Sequence, residues 1–234
     1  MKKAFFITAT DTNAGKTFVA SALAKAARQR GMDVGVMKPV ETGCPLKNGK
    51  PLPLDAVRLK EAARSSDPLD LINPYRFPLL LAPSIAARIS GKRIDFRRIK
   101  KAFETLSAGH DVMFVEGAGG LATPLAGDKT TLDLILFLGI PAIIVSPSRL
   151  GCINSTLLTL VYAMNSGVEV KGVILNHPTA KTDLSDGFNC KELERFGVPV
   201  IGALPFSEKG ERGLRIKKAA GEMLFKPRRG LLCS

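Results

Sequence analysis

The chain has 234 residues, 45% apolar and 24% charged, enough for one α/β domain with a substantial core. Its apolar runs stop short of a membrane span, and four widely spaced cysteines (Cys44, Cys152, Cys190, Cys233) with no CxxC pair suggest neither a zinc site nor a disulfide framework. The formal net charge of +13 admits a nucleic-acid or anionic-membrane surface, but the basic residues are scattered and cluster only at Arg97–Lys101, Lys217–Lys218 and Lys226–Arg229. No aromatic residues interleave these clusters, which favours a solvated basic face, with no nucleic acid and no membrane as partner. The chain enters a strand without a leader-like apolar segment, so a cytoplasmic protein with reduced thiols is expected.

Ala4–Thr8 is an apolar, β-rich run suited to a strand buried on both faces. Gly15-Lys16-Thr17 follows, and Phe18–Arg30 is a helical pattern rich in Ala, Leu, Lys and Arg. Strand, tight loop, GK[ST] and helix is the layout of a phosphate-binding loop. There, backbone N–H groups, the helix dipole and the Lys16 ammonium converge on an anion, and the Thr17 hydroxyl is placed to ligate a phosphate-held Mg²⁺. The usual first glycine, five residues before Gly15, is absent: Thr10 stands there with Ala9 before it, so a φ > 0 turn at that point would be costly.

Asp33–Lys38 reads as a second strand, and the Gly- and Pro-rich stretch 41–54 as one long loop. Asp55 opens a helical run as an N-cap or first-turn acid. Pro68–Pro83, with four prolines, reads as irregular, Ser84–Ser90 as a short helix and Asp95–Ser107 as a helix capped by Asp95. Asp111–Val115 is a third buried strand running into Glu116 and a glycine-rich turn. Thr131–Leu138 follows as a helix, Pro141–Ser146 as a strand and Cys152–Ser166 as a strongly apolar helix. Val170–Asn176 and Val198–Leu204 complete six strands, and Leu214–Phe225 reads as a last helix before a basic tail. No repeat or composition break divides the chain, so residues 1–234 are expected to form a single domain.

This alternation implies an α/β fold of the phosphate-loop NTPase kind, a mostly parallel central sheet covered by helices on both faces. Ligands bind such sheets at the C-terminal strand edge, which gathers the loop at 10–17, Lys38, Glu116 and Asn176. Glu116 either holds Mg²⁺, directly or through water, or caps the next turn. Lys38 either steadies a transferring phosphoryl group or is solvated, and Asp55 is either a metal ligand or an ordinary helix-start acid. Asn176 either reads a base edge or is a turn residue leading into Pro178. His110 and His177 have no triad partners at a recognisable spacing.

In order along the chain, TxTDTNxGKT, KPVETG, VEGAGG followed by TPL, and LGCIN resemble the ATP-dependent dethiobiotin synthetase family of biotin synthesis. The resemblance runs from Lys3 to about Phe206 and includes NPYRF at 73–77 and GALPF at 202–206. It implies ATP, CO₂ or bicarbonate and 7,8-diaminononanoate as substrates, and Mg²⁺ held by Thr17, Asp55 and Glu116. By the same resemblance Lys16, Lys38 and Thr12 carry the chemistry, Thr12 and Thr42 orient the diamine end or its carbamate, and Gly119 lies along the substrate. Asn13, Ala14, Gly15 and Phe18 join Lys16, Thr17 and Glu116 around the nucleotide, with Asn176 and the backbone near Pro205 at adenine. Leu150, Gly151, Cys152 and Asn154 would receive the substrate carboxylate across a two-fold interface, at a helix N-terminus, which implies a homodimer.

The chain departs from the family pattern at three places. Ala9 stands where many members carry glycine, Asn13 stands where an acid is frequent, and the basic balance with its KPRRG tail is unexpected for a small-molecule ligase. The competing class is a partition-type ATPase, which shares the sheet and the GKT loop and would suit the charge. Such proteins carry a lysine five residues before the loop lysine, where this chain has Asp11. A binding protein that keeps the fold without turnover is a third alternative.

Overall fold

The computed structural model describes residues 3–179, 184–206, 215–216, 221 and 224–225. The chain begins with β1 (Lys3–Ala9), α1 (Lys16–Arg28), β2 (Val34–Met37), β3 (Val40–Glu41), β4 (Leu46–Lys47) and β5 (Lys50–Pro51). It continues through α2 (Leu54–Ala63), α3 (Leu69–Ile72), β6 (Tyr75–Arg76), α4 (Pro83–Ile89), α5 (Phe96–Gly109) and β7 (Val112–Glu116). Then come β8 (Pro124–Ala126), β9 (Lys129–Thr130), α6 (Thr131–Leu138), β10 (Ala142–Pro147) and α7 (Cys152–Asn165). The last elements are β11 (Val170–Asn176), α8 (Asp186–Arg195), β12 (Val200–Leu204) and β13 (Arg215–Ile216). No helix among the described residues is long and apolar enough to cross a membrane.

Among the described residues seven strands form the central sheet in the order β13-β12-β11-β10-β1-β7-β2. Every neighbouring pair is parallel except the edge pair β12 and β13. The period-2 alternation of side chains sends apolar residues to both sides, which is why these strands read as continuous apolar runs. Phe5, Ile7, Val112 and Phe114 pack against α1 and α2, whereas Phe6, Met113 and Val115 face α5 and α6. The rings of Phe5 and Phe114 stack with centroids 6.1 Å apart on adjacent strands. On the facing helix α1, the buried stripe Val19, Ala20, Leu23, Ala24 and Ala27 packs into the same core as these strands.

Helix boundaries follow local chemistry. Asp95 caps α5 by accepting from the Arg97 N–H at 2.8 Å, as expected. α6 starts on a capping box between Thr130 and Asp133 and stops at Gly139, which adopts the left-handed conformation.

Four expectations need correction. The stretch 41–54 is not one loop: β4 and β5 form a hairpin on Asn48 and Gly49, whose φ values of 51° and 73° suit the two-residue turn that matches strand twist. The stretch 68–83 is not wholly irregular, since it holds α3 and β6. The third expected strand, Asp111–Val115, is shifted by one residue to Val112–Glu116, with Glu116 at the strand end as read. Arg215 and Ile216 pair antiparallel with β12 rather than lying in a helix, whereas Gly221, Leu224 and Phe225 are helical; the rest of the expected helix Leu214–Phe225, the clusters Lys217–Lys218 and Lys226–Arg229, and Cys233 lie outside the described residues.

Replacing Phe114, fully buried at the centre of this packing, by alanine is expected to destabilise the fold by about 3–5 kcal/mol. Urea denaturation measures this, and a loss within the error of the extrapolation would contradict the packing described.

Candidate active site

The loop between β1 and α1 lies at the C-terminal edge of the sheet. Ala9 is still in β1, paired with Val145, and the Thr10 N–H donates to the Val145 carbonyl at 3.0 Å. Positive φ falls at Asn13 (61°) and Gly15 (91°), not at Ala9 or Thr10, so the missing first glycine imposes no backbone strain. Asparagine is among the few residues that tolerate this conformation, which gives Asn13 a local reason. Gly15 is required on a second count: a Cβ there would lie 2.1 Å from the Asn176 Nδ2. That amide donates to the Ala14 carbonyl at 2.8 Å and latches β11 onto the loop.

Beside the loop lies a buried charge cluster. Glu116 is wholly buried; its Oε1 accepts from the Thr17 hydroxyl at 2.8 Å and from the Lys38 ammonium. Lys38 Nζ also lies 3.3 Å from the Gly117 carbonyl and 3.3 Å from Asp55 Oδ2. The Lys38 backbone is held on both sides, its N–H donating to the Ile72 carbonyl at 2.8 Å and its carbonyl accepting from Asn73 Nδ2 at 2.6 Å. Lys16 is buried too, with its ammonium 3.4 Å from the Asp11 carbonyl.

Environment separates the two lysines. Burial and then the neighbouring Lys38 charge lower the Lys16 pKa to about 8. Burial also acts to lower that of Lys38, but the Glu116 and Asp55 carboxylates outweigh it and hold Lys38 charged, well above the usual lysine value. Glu41 is buried and its carboxyl is pushed up by burial, although hydrogen bonds from the Asp55 and Ala56 N–H groups oppose the shift.

A cleft of about 390 Å³ joins these groups. Thr12, Asn13, Gly15, Lys16, Thr17, Phe18, Lys38, Thr42, Asp55, Glu116 and Gly119 all line it. Ala14 is buried within the loop, Asn176 at the end of β11 sits behind the loop on Ala14 and Gly15 without lining the cleft, and Pro205 directly follows β12. Leu150, Gly151, Cys152 and Asn154 are also outside it: Cys152 is buried, whereas the others include an 81% exposed Leu150 at the start of α7. Glu41, Arg58 and Leu80 line the cleft without having been foreseen. For Glu41 the available signal was an acid inside KPVETG.

Among the described residues neither histidine meets a nucleophile. His110 bridges Asp33 and Asp67 at 2.9 Å each, and His177 lies 3.0 Å from the Asp186 carboxylate. For Mg²⁺, Thr17, Asp55 and Glu116 offer hard oxygen donors, and Glu116 Oε2 is a buried oxygen with no hydrogen-bond partner. Among the described residues no group of three or more His, Cys, Asp or Glu side chains forms a self-sufficient metal cage. The donor set therefore suits an ion that arrives on a nucleotide and keeps phosphate and water ligands.

Residues 3–212 match a family model described as an AAA domain. The chain is 42% identical over 215 residues to the ATP-dependent dethiobiotin synthetase BioD of Thermodesulfovibrio yellowstonii, covering 88% of this chain and 90% of that protein. It is 43% identical over 185 residues to the BioD of Methanocaldococcus jannaschii, covering 77% of this chain and 81% of that one. Among solved structures, the cell division ATPase MinD of Pyrococcus furiosus superposes with a TM-score of 0.52 at 16% identity, covering 90% of this chain and 87% of MinD. FtsY of Thermotoga maritima gives 0.51 at 16% identity over 96% of this chain and 69% of its own. At such identities the likeness is one of fold, the phosphate-loop NTPase sheet. The sequence identity, sustained over most of both chains, says more: this chain belongs to the ATP-dependent dethiobiotin synthetase family.

Proposed function

We propose that this chain forms dethiobiotin in an ATP-dependent reaction, the activity in the names of its relatives. The observation that carries the proposal is the single cleft in which Lys16 and the Lys38–Glu116–Asp55 cluster meet Thr12 and Thr42. One amine of 7,8-diaminononanoate adds to CO₂ and gives a carbamate and a proton. A carbamate oxygen then attacks the γ-phosphorus of ATP, and the bond to the β-γ bridging oxygen breaks with loss of ADP. The second amine attacks the carbonyl carbon of the carbamic-phosphoric anhydride, and its C–O bond breaks to release phosphate, leaving the cyclic urea and a second proton.

The protein's part is positioning and charge stabilisation. Lys16 and the loop N–H groups hold the outer phosphates, with Asn13, Gly15 and Phe18 around the nucleotide. Lys38 faces the transferring phosphoryl group, and Thr12 and Thr42 orient the carbamate end, with Gly119 along the substrate. Thr17, Asp55 and Glu116 hold Mg²⁺, which when bound supplies Lewis-acid stabilisation of charge on the phosphate oxygens. Asn176 and Pro205 receive adenine, supported by the pairing of Asn176 with Leu204 at adjacent strand ends. α7 exposes Leu158, Val161, Tyr162 and Met164, an apolar face suited to a second copy. In that homodimer Leu150, Gly151, Cys152 and Asn154 receive the substrate carboxylate of the partner's site. Residues 1–234 act as one domain, in the cytoplasm.

Phosphate release with MgATP and bicarbonate tests the proposal, measured with and without 7,8-diaminononanoate and with duplex DNA in a parallel sample. Release is expected to require the diamine and to ignore DNA; release driven by DNA and indifferent to the diamine would contradict it. Asn154→Ala is expected to weaken diamine binding while leaving ATP affinity within about twofold, because the side chain lies outside the nucleotide cleft. A selective loss of ATP binding would refute the interface role.

The lowered Lys16 pKa gives a pH dependence. Bound phosphates favour the ammonium and raise its pKa above the free value of about 8, so MgATP affinity is full below that pH and falls as pH rises through it. Calorimetry in buffers of different ionisation heat should show proton uptake on binding in this window. Proton release there would overturn the assignment.

A further inference from the structure

We propose that Glu41 is a positioning residue, whose carboxylate caps the first turn of α2 and thereby sets where Asp55 stands relative to Lys38. The inference rests on the ATP-site proposal above only in taking MgATP as the probe. α2 begins after Pro53, which has no side chain able to accept from the first N–H groups of the helix. Glu41 supplies the acceptors from β3: its Oε1 takes the Asp55 N–H at 2.9 Å and its Oε2 the Ala56 N–H at 3.0 Å. At 5% exposure the carboxylate is nearly dry, and the helix dipole adds to the attraction.

The cap is anchored at its other end. The Glu41 carbonyl accepts from the Phe77 N–H at 2.9 Å, which holds β3 against β6. On the helix side Ala56 and Leu59 are fully buried, so the start of α2 is fixed both by packing and by two hydrogen bonds. A first-turn aspartate often turns back to accept from its own helix N-terminus. Here Glu41 already occupies those donors, and the Asp55 carboxylate instead reaches Lys38 at 3.3 Å. A continuous linkage thus runs from β6 through Glu41 and the α2 backbone to Asp55 and Lys38.

A double-mutant cycle on MgATP affinity tests this by calorimetry, using the wild-type chain, Glu41→Gln, Asp55→Asn and the double variant. Glu41→Gln keeps the volume but presents an NH₂ to one of the two N–H donors, and weaker binding of about tenfold or more is expected. In the Asp55→Asn background the same change should cost less than about twofold, because Glu41 acts through Asp55. Glu41→Asp keeps the charge while withdrawing the oxygens, is expected to fall between, and serves in the cycle if Glu41→Gln fails to fold. Full additivity in the double variant, or unchanged binding in both Glu41 variants while the wild type binds, overturns the positioning role alone. Failure of the wild-type chain to bind MgATP overturns the ATP-site proposal together with this inference.

Discussion

A wholly buried carboxylate, Glu116, bonded to a buried ammonium, Lys38, is the interaction around which the cleft is built. Taking two charges out of water costs several kcal/mol per ion, of order 10 together, and is tolerated only with good geometry and further hydrogen bonds. The surroundings supply those. Thr17 donates to the carboxylate, Asp55 and the Gly117 carbonyl share the ammonium, and Ile72 with Asn73 clamps the lysine backbone. One oxygen of Glu116, buried like the rest of the side chain, nevertheless has no hydrogen-bond partner, so the cluster keeps unused acceptor capacity. Unused acceptor capacity beside a buried ammonium suits a role in which a cation completes the arrangement.

The fold exists to hold that cluster at one edge. Five parallel strands around β1, each apolar on both sides, carry Ala9, Met37, Glu116, Pro147 and Asn176 at the C-terminal ends of β1, β2, β7, β10 and β11. The loop after β1 then wraps back against Asn176, while the segment after β2 delivers Lys38 and Glu41 toward α2. Positions far apart in sequence are brought together by backbone pairing, and the charges at the edge are fixed by side chains from neighbouring strands.

Much of this was legible in the sequence, because the signals were strong where structure is regular. Val170–Asn176 and Thr131–Leu138 have the expected boundaries, one a continuous apolar run and the other marked by a capping box and a terminal glycine. The GKT loop and the strand-end residues were likewise readable from the rule that ligands bind at the C-terminal edge. Misreadings fell on short elements, some buried like α3 and β6 and others exposed. β4 and β5 have two residues each and are largely exposed, so only Asn48-Gly49 marked the hairpin. No helix was expected over 186–195; α8 buries only Asn189 and Leu193, too little for an apolar stripe to show. The acid inside KPVETG was a signal for Glu41, but its capping role was not legible, since its partners are backbone N–H groups fourteen and fifteen residues away, which no side-chain pattern encodes.

The central claim is that the cleft passes a phosphoryl group to a carbamate rather than to water. Its most direct test is the fate of carboxyl oxygen. A single turnover is run with bicarbonate labelled with oxygen-18, and the released phosphate is examined by mass spectrometry before the label exchanges with solvent. Phosphoryl transfer to a carbamate oxygen, followed by loss of phosphate on ring closure, places one labelled oxygen in each phosphate. Unlabelled phosphate, released at the same rate as ring-closed product, would contradict the account.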